Sequence, residues 1–108
     1  EQMEAGLKKI RELKERYKSI SLKDKSLRYN TDLERAVETG FMIDVAEVAT
    51  LGALTRTESR GGHARRDYKV RDDENWLKHT MANYTEAGPK LDYSKVDISM
   101  WKPIERKY

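Results

Sequence analysis

The sequence predicts a mainly α-helical chain: an antiparallel helix hairpin or small, spectrin-repeat-like bundle, followed by an extended, loop-rich tail with a short β-hairpin. Three observations predict this. Two stretches carry apolar residues at spacings of three and four. A short polar segment joins them. After residue 60 the pattern changes to Gly, Arg and patches of β-favouring residues. The organisation expected is one domain, with residues 1–60 as the hairpin and 61–108 as a loop-rich docking tail.

The chain has 108 residues, 38% charged and 37% hydrophobic. That is more charged and less apolar than an ordinary globular domain, so any core is thin. With no cysteine, disulfides and thiolate metal sites are excluded. No apolar run reaches the roughly 18 residues of a membrane-spanning helix. The net charge of +3, from 22 basic and 19 acidic residues, is a mild excess and unlike a nucleic-acid-binding tail. Glu1-Gln2-Met3-Glu4 opens in helix-forming composition with no cap ahead of it, so the chain is expected to be cut from a longer one.

The first helix is expected over residues 2–17. Met3, Leu7, Ile10, Leu13, Tyr17 and Ile20 form one apolar stripe, and charged residues fill the other face. Residues 19–30 are polar and short enough for an antiparallel return. Thr31-Asp32-Leu33-Glu34 matches a capping box, with Thr31 as N-cap and Glu34 at N3.

The second helix is expected from Asp32 to Arg56. From Met42 to Leu54 it is apolar on nearly all sides, which calls for burial all round. One partner helix of 16 residues cannot supply that, so the helix is expected to pack on a surface this chain does not contain. Gly40 and Gly52 would permit close helix approach. Gly61-Gly62 is expected to end the helix with a left-handed cap. Asp72 to Asn75 precede Trp76-Leu77 and could cap a short helical turn. Segments 79–84 and 91–96, separated by Thr85-Glu86-Ala87-Gly88-Pro89-Lys90, read as a hairpin or two extended pieces.

The residues with chemistry lie mostly between the helix and this hairpin. Gly61-Gly62 lacks the flanking glycines and Lys-Ser/Thr of a phosphate loop. His63 and His79 have no third ligand at metal spacing, so no metal site is expected. Ser59, His63 and Asp67 can be written as a nucleophile–base–acid set, but no orienting base or oxyanion hole accompanies them. From Arg56 to Asp72 arginines alternate with carboxylates. A nucleic-acid face would be less evenly compensated and would carry stacking aromatics. The pattern suits bidentate ion pairs at an interface. The docking residues expected are Arg56, Glu58, Ser59, Arg60, His63, Arg65 and Asp67. Arg60 and Arg65 are the anchors, Glu58 and Asp67 their carboxylate partners, and His63 a hydrogen-bonded packing residue.

Arg56-Thr57-Glu58-Ser59-Arg60-Gly61-Gly62-His63, with Arg65, Asp67 and Arg71-Asp72-Asp73-Glu74-Asn75-Trp76-Leu77-Lys78-His79-Thr80, resembles the C-terminal region of the flavoprotein subunit of succinate dehydrogenase and fumarate reductase. Asn30-Thr31-Asp32-Leu33-Glu34 and Asp44-Val45-Ala46-Glu47 resemble its long helix, and residues 103–108 its end. Gly62 and Lys69 depart from the family pattern, where Ala and Pro are usual. The Glu-Ser-Arg-Gly element alone also occurs in L-aspartate oxidase; a free-standing helical adaptor is the non-enzymatic alternative.

The resemblance implies a parent enzyme that interconverts succinate and fumarate by hydride transfer with FAD. It further implies electron transfer to an iron–sulfur subunit and a cytoplasmic position against the inner membrane held through partner subunits. It assigns this chain no catalytic residue, no FAD-binding residue and no cofactor of its own, because the flavin-linking histidine and substrate-binding residues of the family lie in other domains. It implies a partner in the FAD-binding domain of the same subunit, with no nucleic acid bound and no membrane insertion.

Overall fold

The computed structural model describes residues 1–104. The chain is mainly helical with a small antiparallel hairpin, in the order α1 (Gln2–Tyr17), α2 (Thr31–Thr55), α3 (Asp73–Trp76), β1 (Lys78–Asn83), β2 (Lys90–Lys95). It divides into two compact units, the first Glu1–Arg56 and the second beginning at Thr57. The end motif at residues 105–108 lies outside the described residues.

The first unit is the helix hairpin. Its α1 starts without a side-chain cap, as its composition implied. Along α1 the partly or fully buried side chains are Met3, Leu7, Ile10, Lys14 and Tyr17. Along α2 the matching row is Ala36, Gly40, Ile43, Glu47 and Thr50. Both rows alternate steps of four and three, the seam spacing of helices packed side by side. Leu13 and Ile20, assigned to the stripe from sequence, are exposed. Lys14 takes the seam place beside Leu13 because its ammonium meets Glu47 Oε2 and Asp44 Oδ1, each at 2.8 Å. Arg11 Nε donates to Glu47 Oε1 at 3.0 Å. Glu47 is thus the one buried residue of α2, and Leu7 the one buried hydrophobic among the described residues.

Close approach at the other end of the seam depends on Gly40. A Cβ there would lie 2.7 Å from the Tyr17 hydroxyl oxygen. That hydroxyl donates to the Ala36 carbonyl at 2.9 Å, which pins the ring over the glycine.

Two local expectations need correction. The N-cap of α2 is Asn30, whose side chain accepts from Leu33 N–H at 2.8 Å, and not Thr31. Asn30 wins because its amide also donates to the Asp24 and Ser26 carbonyls, closing the preceding loop. The helix does not run to a glycine cap: it ends at Thr55, and Arg56 turns extended. Gly61 does take a left-handed φ of 57°, but within a turn between Arg60 and His63. The apolar run of α2 is not enclosed by this chain, in line with the expectation that one partner helix cannot cover it. Met42 and Val45 are exposed, as are Leu33, Val37 and Phe41 before them.

In the second unit, Asp72 caps α3 by accepting from Glu74 and Asn75 N–H at 3.1 and 3.0 Å. The hairpin pairs Lys78 with Lys95 through Asn83 with Lys90. Each strand begins one residue before its expected start. Its turn is closed by mutual bonds between Thr85 and Gly88, with Gly88 at a φ of 116°.

Candidate docking site

The expected docking residues gather in the segment between α2 and α3, and their geometry follows from one buried carboxylate. Glu58 is fully buried. Its Oε1 accepts from Arg60 Nε at 2.8 Å, and its Oε2 from Arg60 Nη2 at 3.0 Å and the Asp72 N–H at 2.8 Å. A buried carboxylate is tolerable only with such partners. Arg60 Nη2 continues to Asp73 Oδ1 at 2.6 Å, and Arg71 Nη2 meets the other oxygen of Asp73 at 2.7 Å. The glutamate pairing raises the Arg60 pKa above its usual value. Asp73 is held below the ordinary carboxylate range, first by Arg60 and then by Arg71.

Ser59 closes the loop from the other side. Its N–H donates to the Val70 carbonyl at 3.1 Å, its hydroxyl to the Tyr68 carbonyl at 2.6 Å, and the hydroxyl oxygen accepts from Arg65 N–H at 2.8 Å. Between them, Arg60 and His63 exchange backbone bonds at 2.8 and 2.9 Å around Gly61. Arg65, itself buried, forms a bidentate pair with Asp67 and lies 4.8 Å from the Tyr68 ring centre. That pairing lowers the Asp67 pKa to about 2.

Both pairings expected from sequence, Arg60 with Glu58 and Arg65 with Asp67, are present within this unit. Arg56 is the C-cap of α2, with extended backbone. His63 departs from expectation: its Nε2 is buried without a hydrogen-bond partner, and it contributes to the turn through its backbone. The Ser59–His63–Asp67 set is not assembled as a relay, because Ser59 bonds to backbone and Asp67 to Arg65. Arg71 and Asp73 belong to the network but were missed as site residues. The signal was there, since their Arg-Asp-Asp run repeats the arginine–carboxylate alternation. Thr57 is tied in as well, accepting from the Trp76 indole at 2.7 Å. The two sequence motifs are therefore two halves of one hydrogen-bonded structure.

Among the described residues no group of three His, Asp or Glu side chains is placed to hold a metal ion, and no helix is long and apolar enough to cross a membrane.

A family model described as fumarate reductase flavoprotein C-term matches residues 1–108. The chain is 49% identical over 107 residues to the fumarate reductase flavoprotein subunit of Haemophilus influenzae, covering 98% of this chain and 18% of that protein. It is 40% identical over 116 residues to the succinate dehydrogenase flavoprotein subunit of Rickettsia conorii, covering 100% of this chain and 20% of that one. Among solved structures, a variant of the E. coli quinol fumarate reductase FrdA aligns with a TM-score of 0.89 at 39% identity, over 95% of this chain and 18% of that chain. The chain thus spans about a fifth of the length of the curated relatives it matches.

Proposed function

The chain belongs to the fumarate reductase flavoprotein C-terminal family, and from that premise we propose that it serves as the C-terminal brace of an enzyme subunit carrying FAD. The full-length subunit interconverts succinate and fumarate by hydride transfer with that flavin and hands electrons to an iron–sulfur subunit. It is held on the cytoplasmic side of the inner membrane by partner subunits. The relatives bear both fumarate reductase and succinate dehydrogenase names, and the L-aspartate oxidase alternative is not favoured by them.

The observation that carries the bracing role is the Glu58 network. Its guanidinium and carboxylate groups are directed at one another and at backbone, which ties the segment between α2 and α3 into one hydrogen-bonded unit. A buried ion-pair network of this kind fixes geometry more than it adds stability. Glu58, Ser59, Arg60 and Arg65 shape the segment. Gly61, Gly62, Ala64, Arg66 and Asp67, which are exposed, form the face it offers to the flavin domain.

The test has two parts. Titrated with FAD, the 108-residue chain gives no flavin spectral shift and oxidises no succinate, whereas stoichiometric binding would defeat the bracing role. In the full-length subunit, Arg60→Ala unseats Glu58 and lowers both melting temperature and flavin retention. Unchanged values of both would count equally against it.

A further inference from the structure

We draw no further inference here: the strongest candidate, the surface patch that Leu27 and Tyr29 form in the loop between α1 and α2, is an exposed apolar tip, and nothing in the structure shows what covers it.

Discussion

Lys14 and Glu47 show how a single pair fixes the register of the hairpin. Periodicity along α1 favours Leu13 for the seam, because local spacing sees only apolar side chains. The choice of Lys14 is made by a carboxylate 33 residues away, which no window along the chain can reveal. Burial alone would push the Glu47 pKa up, yet the hydrogen bonds from Lys14 and Arg11 outweigh it and leave the group below its usual value. A polar layer in an otherwise apolar seam specifies alignment at some cost in stability. Replacing Glu47 by Gln should therefore weaken the hairpin by about 1.5–3 kcal/mol, the range for hydrogen bonds to charged groups. The lower end is expected because Arg11, at 55% exposed, can turn to water. Hydrogen exchange of the α1 and α2 amides in the full-length protein measures this as faster local opening. Joint replacement of Lys14 and Glu47 by Leu should restore protection, since an apolar pair of similar volume needs no partner. Continued fast exchange in that double variant would show that the pair contributes more than register.

At the scale of elements, most of the architecture was legible. The two helices, the short α3 and the β-hairpin were all visible in spacing and punctuation, because those signals are local. The errors were local competitions that sequence left undecided. Asn30 and Thr31 are both good caps, and the loop carbonyls of Asp24 and Ser26 selected Asn30. Gly61 was free to cap α2, but the bond pattern between Arg60 and His63 drew it into a turn. In the site, the ion pairs were legible from the alternation of charges. Their union into one network was not, because it needs the fold to bring Asp72 and Asp73 back to Glu58 and Arg60. Gly40 supplies the test at this scale. An added methyl would meet the Tyr17 ring, which its bond to Ala36 holds in place. Gly40→Ala should thus cost about 1–3 kcal/mol of hairpin stability as an overpacking change, offset in part by the helix propensity of Ala. In the background of Tyr17→Leu the same change should become neutral or stabilising. Exchange rates of the helix amides in the four variants give the coupling, and strict additivity would sink the steric explanation.

At the scale of the whole chain, the stabilising groups inside it are unusually polar. Among the described residues Leu7 is the buried hydrophobic, while Glu47, Glu58 and Arg65 are the buried charged ones. A fold held this way should be sensitive to acid. Hydrogen bonding depresses several of its carboxyls: Asp67 through Arg65, Asp73 through Arg60, and Asp72 through the Asn75 backbone. Glu47 joins them once Lys14 and Arg11 overcome its burial. The sign is the same for each. A depressed folded-state pKa means that the unfolded chain binds protons first as the pH falls, so acidification favours unfolding. The contribution is complete above the ordinary values of 3.8 for Asp and 4.5 for Glu, and is lost as the pH drops through the folded values, about 2 for Asp67. Far-UV circular dichroism of the chain should therefore hold steady from near neutral pH down to about 5, then lose helical signal between roughly pH 4 and pH 2. Glu47→Gln should start weaker near neutral pH and show a shallower acid transition, because one titrating group has been removed. Helical signal that persists unchanged to about pH 2 in the parent sequence would mean that the carboxylate network does not hold the fold. Its stability would then have to come from the half-buried apolar seam between α1 and α2.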